Sequence, residues 1–216
     1  MASEVQICNL ALSHVGAASI QSLEDKTKEA KECNALYEPA RDAVLREHKW
    51  SFATQRQTLA VLPDEEKVDQ WEFVYAYPAD CFAARDIYND LNNATRDGLF
   101  HHDHHNLHGH AFTDRINFEV ALNKSKTAKI IFTNKDEAEL IYTASITDPN
   151  LFDTQFRDAL AWNLASQLAR PLRANLRMEE AYYQKYLFIL ATTQASDSNE
   201  QQAKPDETNI FVQARR

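Results

Sequence analysis

Two helical blocks, separated by the whole middle of the chain, constrain this sequence more than any other feature. Residues 7–56 read "ICNLALSHVGAASIQSLEDKTKEAKECNALYEPARDAVLREHKWSFATQR" and residues 146–172 read "ITDPNLFDTQFRDALAWNLASQLARPL". In the first block Ile7, Leu10, Ala11, His14 and Val15 recur at helical spacing. Ser3 stands where an N-cap belongs, Glu4 suits a first turn, and Gly16 supplies the stop. The link "AASIQSLEDKT" carries two apolar anchors, Ile20 and Leu23. Cys33, Tyr37, Ala40 and Val44 then form one stripe at i, i+4, i+7 and i+11, and Pro39 inside it predicts a kink or a fresh start. In the second block Asp148-Pro149 restarts the helical period. Phe152, Phe156, Leu160, Leu164, Leu168 and Leu172 step by four along one face, and Pro171 limits the helix near its end. A fourth helix over 178–193 puts Tyr182, Tyr186, Ile189 and Leu190 on its buried side. Neither pair of helices can cover its own stripes, so the two pairs are expected to pack as one four-helix bundle.

Between the blocks the period changes. "WSFATQRQTLAVLP" alternates in part, and "WEFVYAYP" is aromatic and β-prone up to its closing proline. After a loop come "INFEVAL", "AKIIFT" and "AELIYTASI", separated by the polar hairpin-type links "NKSKT" and "NKDE". Beyond Ala195 the chain turns polar, "SDSNEQQAKPDETN", before finishing in "IFVQARR". The expected fold is α+β: a helical bundle over 1–60 and 146–196, a small antiparallel β subdomain inserted at 61–145, and a C-terminal arm over 197–216.

Composition narrows the function classes. Hydrophobic residues make up 44% and charged residues 25% of the chain, as in ordinary globular proteins. The formal net charge is −9, from 32 acidic against 23 basic residues, which argues against gripping nucleic acid by its phosphates. Cys8, Cys33 and Cys81 are odd in number and lack metal-type spacing, so reduced thiols are expected. The opening "MASEVQICNLALSHVG" has neither a basic start nor a long apolar run, so a signal peptide is not expected. Nor does any stretch approach the ~20 apolar residues of a membrane span. Synthesis in the cytoplasm follows.

The order and spacing of three stretches resemble the head-to-tail adaptor proteins of short-tailed bacteriophages, the tail tubular protein A type. One is "ICNLALSHVGAASIQSLED". Another is "CNALYEPARDAVLREHKWSFATQR", through Tyr37, Arg41, Asp42, Trp50, Phe52, Ala53 and Arg56. The third is "YTASITDPNLFDTQFRDALAWNLASQLARPL", through Thr147, Asp148, Pro149, Phe152, Phe156, Leu164, Ala165 and Pro171. The likeness covers both halves of the expected bundle and is weakest in the middle. It implies a virion protein, made in the host cytoplasm, that assembles as a twelve-fold ring on the portal protein. Such a ring joins the portal to the downstream tail nozzle or tube protein and lines the DNA exit channel. DNA passes an acidic lumen without tight binding, and neither a cofactor nor a membrane is involved. The resemblance also implies that the C-terminal segment reaches into grooves of the portal. Here that segment offers Ile210, Phe211 and Val212 as apolar anchors, then Arg215 and Arg216 as cations for an acidic rim.

A ring needs contacts between its subunits, and arginine is favoured in such interfaces for its bidentate pairing with carboxylates. Arg46, Arg56, Arg157 and Arg173 are the candidates, whereas Arg41 has Glu38 beside it for an intramolecular pair. Tyr183 joins them, because one helix face cannot bury Tyr182, Tyr183 and Tyr186 together.

Features that could carry catalysis or metal chemistry are weaker. "LFHHDHHNLHGHAF" crowds His101, His102, His104, His105, His108 and His110 around Asp103, and the loop over 99–112 departs from the adaptor pattern. His104 and His108 could share a helix face and hold zinc, copper or nickel, but second-layer support is wanting between Gly98 and Gly109. A loop that gains charge below pH ~6.5 is the plainer expectation, and no metal is assigned. The carboxylate pairs Glu24/Asp25, Asp64/Glu65/Glu66 and Glu179/Glu180 sit in charged turns or on a helix exterior. Three glycines leave no phosphate-cradling loop, and no nucleophile elbow is present, so an enzyme is not expected. The rivals are a metal-binding protein built on the histidine loop and a tail-associated cell-wall hydrolase.

Overall fold

Side-chain caps start each helix, satisfying backbone donors that helix geometry leaves open. Ser3 Oγ accepts from Gln6 N at 3.2 Å to open α1 (Glu4–Val15), and Thr27 Oγ1 accepts from Ala30 N at 3.2 Å to open α2 (Lys28–Glu47). Asp153 Oδ1 accepts from Phe156 N at 2.6 Å before α3 (Thr154–Arg173), and Asn175 Oδ1 accepts from Arg177 N and Met178 N before α4 (Leu176–Glu200). The computed structural model describes residues 2–63, 68, 70–88 and 116–200, the stretch 194–200 by its backbone alone. Among these residues the protein is mixed α/β, with four helices and two three-stranded antiparallel sheets. The chain divides into two compact units, Met1–Phe52 with Ile146–Arg216, and Ala53–Ser145.

In the helical unit α3 is the hub. It packs against α1, α2 and α4, while α1 and α2 touch each other only slightly. The sequence shows how one helix serves three neighbours. Phe156, Leu160, Leu164 and Leu168 form a large apolar ladder, and Ala161, Ala165 and Ala169 form a small one beside it; all seven are buried. The alanines let a neighbouring backbone approach while the leucines fill the space between axes. Trp50, Phe52, Phe152 and Phe156 close the far side. Trp50 meets Phe156 edge-on at 5.0 Å, and Phe152 meets Phe156 at 4.7 Å. The Trp50 indole donates to Val44 O at 2.8 Å, which satisfies its polar atom inside the core.

Two local expectations are revised here, and the one at Pro39, a kink or a fresh start, is narrowed. Helix α2 runs through Pro39 without a fresh start, with Pro39 on its exposed side. Asp148-Pro149 opens a separate 3-10 turn (Pro149–Leu151), and α3 begins only after Asp153. Helix α4 continues to Glu200, so residues 197–200 are helical and any arm starts later than 197. Adding a residue to an existing helix gains a backbone hydrogen bond, which offsets the modest propensity of Ser, Asp and Asn. Residues 201–216 lie outside the described residues.

The β unit holds β1 (Thr54–Thr58), β2 (Phe73–Ala76), β3 (Cys81–Ile87), β4 (Phe118–Leu122), β5 (Lys129–Thr133) and β6 (Glu139–Ala144). One sheet runs β1-β6-β3 and the other β2-β5-β4, every pairing antiparallel. Strand β1 pairs Thr54 with Thr143 through Thr58 with Glu139, so the helical unit ends at Phe52 instead of residue 60. The "NKSKT" link closes the β4–β5 hairpin, with Asn123 Oδ1 accepting from Thr127 N and Ala128 N. The "NKDE" link does not make a hairpin. It carries the chain from β5 to the other sheet, held by Tyr75, whose hydroxyl donates to Lys135 O at 2.9 Å and accepts from Ala138 N at 3.4 Å.

Candidate functional site

The helical unit is closed at one end and bare along one side. The closed end is the C-terminus of α1, whose last four carbonyls have no partner within the helix. Gly16, at φ 71°, reverses the chain so that Ala17 N donates to Leu12 O at 2.9 Å and Gly16 N to Ser13 O at 3.1 Å. Two other helices supply the rest. The Tyr182 hydroxyl of α4 donates to His14 O at 2.8 Å, and Arg173 Nε of α3 donates to Val15 O at 3.2 Å. His14 stacks on Trp162 at 3.8 Å, and Trp162 leans on Tyr182 at 5.7 Å. Burial lowers the His14 pKa, with Asp158 pulling the other way, and its buried Nε2 has no hydrogen-bond partner. These contacts fix α1 to both later helices.

The bare side belongs to α4. Tyr186, Ile189, Leu190 and Thr193 are buried, whereas Leu176, Tyr183, Leu187 and Phe188 are 60%, 46%, 38% and 61% exposed. Leu176, Glu180, Tyr183 and Leu187 fall at i, i+4, i+7 and i+11, so they share one face. Beside the first turns of α4 and against α3 lies an open cavity of about 500 Å³, lined among others by Asn163, Gln167, Leu176, Glu179, Glu180 and Tyr183. The Oε2 atom of Glu179 is buried without a hydrogen bond, and its ion pair with Arg170 Nε is long, 3.7 Å. An apolar strip therefore ends in an acidic recess beside a tyrosine ring. That combination suits aliphatic or aromatic side chains along the strip and a guanidinium in the recess, where carboxylates and the ring face both attract it. A second recess of about 460 Å³ lies where α1 and α3 begin, between Gln6, Leu10, Gln155 and Arg157.

The residues expected to make contacts fall at separate places. Arg46 is exposed in the last turn of α2, where its charge complements the helix dipole. Arg56 belongs to β1, ion-paired with Glu139 and lying 3.2 Å over the Tyr88 ring. Arg157 donates to Asp153 O at 3.3 Å and to Thr154 Oγ1 at 3.2 Å in the first turn of α3, and Arg173 stands at the opposite end of the same helix. Arg41 is buried and pairs with Asp42 at 2.8 Å and Glu38 at 3.9 Å. Tyr183 lies on the bare face of α4, 5.8 Å from the ring of Tyr186. The candidates Ile210, Phe211, Val212, Arg215 and Arg216 and the histidine loop over 99–112 lie outside the described residues. Leu176, Leu187 and Phe188 were not singled out from sequence, and Glu179/Glu180 were read only as a solvated pair on a helix exterior, although the excess of tyrosines in this helix pointed toward a second contact face.

Titratable groups elsewhere serve the fold. Cys8 and Cys33 are buried free thiols of α1 and α2, and Cys8 is pushed far above the usual thiol range, first by its hydrogen bond with Cys33 and then by burial. In the β unit the Tyr142 hydroxyl sits 3.1 Å from both oxygens of Asp80, and burial followed by that carboxylate pushes its pKa up to about 12. Asp148 is held below the usual carboxylate range by the backbone and side-chain amides of Asn150, as an N-cap should be. Among the described residues no group of three or more His, Cys, Asp or Glu side chains could hold a metal ion, and no helix is long and apolar enough to cross a membrane. Comparison with known proteins finds neither a matching family model nor a matching curated protein.

Proposed function

We propose that this protein is a head-to-tail adaptor of a virion: a non-catalytic subunit that assembles as a ring on the portal protein and presents a platform to the next tail component. In this reading the helical unit is the four-helix bundle of the adaptor and the β unit is its insert. Residues 201–216 form the arm that engages the portal through Ile210, Phe211, Val212, Arg215 and Arg216. One observation carries the proposal. Most of the two separated blocks that resemble the adaptor family, residues 7–52 and 146–172, falls in one compact unit, and aromatic residues of the likeness meet inside it. Trp50 and Phe52 of the first block pack on Phe152 and Phe156 of the second. The bare face of α4 supports an assembly role, because a long apolar strip in water favours contact with another surface. DNA would move past the ring's acidic surface without being held.

Electron microscopy of the chain mixed with the portal protein encoded beside it tests this reading, with and without residues 201–216. A symmetric collar that requires the last residues is the expected result. A collar that forms equally well without them would keep the adaptor and remove the arm's role. Absence of a collar in both mixtures would reject the adaptor.

A further inference from the structure

The acidic recess and bare strip of α4 have a complement within the same sequence. Going up the helix, the exposed face presents Leu176, Glu180, Tyr183 and Leu187, with Glu179 beside them in the recess, so the acids lie in the first turns after Leu176 and the later turns are apolar. Residues 210–216, "IFVQARR", run apolar first and cationic last. Laid antiparallel to α4, the segment meets the strip in matching order. Ile210, Phe211 and Val212 fall against Leu187 and Tyr183, and Arg215 and Arg216 then reach Glu180 and Glu179. We propose that residues 210–216 dock on the outer face of their own α4, with an arginine in the recess between α3 and α4.

Three physical points favour this occupant. The first is reach. From Tyr183 to Glu200 the helix climbs about 26 Å at ~1.5 Å per residue. Residues 201–209 can span about 30 Å when extended, so the segment can return along the helix without melting it. The second is charge. The Glu179 Oε2 atom is buried without a hydrogen bond among the described residues, and its ion pair with Arg170, itself mostly solvated, is long at 3.7 Å. A guanidinium entering the recess would supply the missing donors and could lie on the exposed ring of Tyr183. The third is linkage. A segment tethered to its receptor meets it at an effective concentration near the millimolar range, so modest contacts suffice. On the adaptor reading, and resting on it, the arm is withheld until a portal groove displaces it from α4.

Hydrogen exchange of the free full-length chain, followed by mass spectrometry with no portal present, decides the docking separately from the adaptor reading. Peptides from 210–216 and from the first turns of α4 should be protected together. Replacing Arg215 and Arg216 by Ala, or Glu179 and Glu180 by Gln, should speed exchange in both places by about threefold or more. The two charge variants act from opposite partners, so agreement between them excludes simple unfolding, which would also speed exchange in α1. Protection should be the same from about 1 to about 100 µM protein, as an intramolecular contact requires. The proposal is overturned if 210–216 exchanges at the unprotected rate. It is also overturned if protection grows with concentration, which would assign the recess to the segment of a second copy, or if neither charge variant changes it.

Discussion

Helices α3 and α4 are neighbours with similar stocks of apolar side chains, yet they meet opposite fates. Around α3 nearly every apolar residue is buried, because three helices pack against it and small and large side chains alternate to fit them. Helix α4 carries two apolar faces and is covered on one: Tyr186 is 3% exposed, while Phe188, two residues on, is 61% exposed. The difference separates two uses of hydrophobicity. In α3 it specifies the fold, and on the outer face of α4 it is left available for contact.

The sharpest way to break that contrast is to truncate one residue from each helix. Leu164 is fully buried in the hub, and Leu164→Ala should destabilise the protein by about 3–4 kcal/mol, since the cavity it leaves is walled by neighbours on every side. Phe188→Ala should change stability by less than about 0.5 kcal/mol, although it removes the larger side chain. Urea unfolding followed by circular dichroism measures both. Comparable losses in the two variants would mean that the face of α4 is covered in solution by something that contributes to stability.

The adjacent tyrosines of α4 sharpen the comparison at the level of single atoms. Tyr182→Phe strips the donor from His14 O and should cost about 1 kcal/mol, whereas Tyr183→Phe touches no hydrogen bond described within the unit and should cost close to nothing. Arg173→Ala, which frees Val15 O from the same end of α1, should fall between them at about 0.5 kcal/mol because the guanidinium is exposed and water can replace it. If all three variants melt together, the closed end of α1 is not the lock described above.

How much of this contrast could be read from the sequence depends on what each helix contacts. The Ser3 cap, the Gly16 stop and the α3 leucine ladder are local signals, and they were legible because their physics is complete within one or two turns. The alanine ladder of α3 was not, since alanine at a helical spacing says nothing until a neighbour is known to approach it. Strand β3 was missed because bulges between Cys81 and Ala83 and between Ala84 and Asp86 break the two-residue period. The "NKDE" link looked like a hairpin, but pairing between strands is a tertiary choice. β6 found its partners in β1 and β3 instead of β5. The second face of α4 was half legible: three tyrosines in five residues exceed what one face can bury, yet the sequence alone does not say which is left out.

The short link between α3 and α4 offers a smaller test, because it uses the left-handed backbone without glycine. Ala174 sits at φ 49° and closes α3 through Ala174 N to Arg170 O at 2.9 Å, the same task that Gly16 performs for α1 at φ 71°. A Cβ atom in that conformation is strained by roughly 1 kcal/mol. Ala174→Gly should therefore raise stability by about 0.5 kcal/mol after the added freedom of the unfolded chain is counted, and Gly16→Ala should lower it. Matched thermal melts will show whether the sign reverses between the two caps as the geometry requires.

The finest probe is pH. His14 stacks on Trp162 at the end of α1 that α3 and α4 cap, and burial lowers its pKa although Asp158 opposes the shift. Because its folded pKa lies below the unfolded value of about 6.5, the unfolded chain binds the proton more readily. Its contribution is therefore full above pH ~6.5 and is lost as the pH falls from there toward the folded pKa. His14→Gln, which cannot gain that charge, should flatten the fall in melting temperature between about pH 7.5 and 5.5 while keeping the fold, as judged by its circular dichroism at the higher pH. A variant whose pH profile runs parallel to that of the parent would place the acid sensitivity elsewhere. A profile that becomes steeper would mean that Asp158, and not burial, governs the histidine.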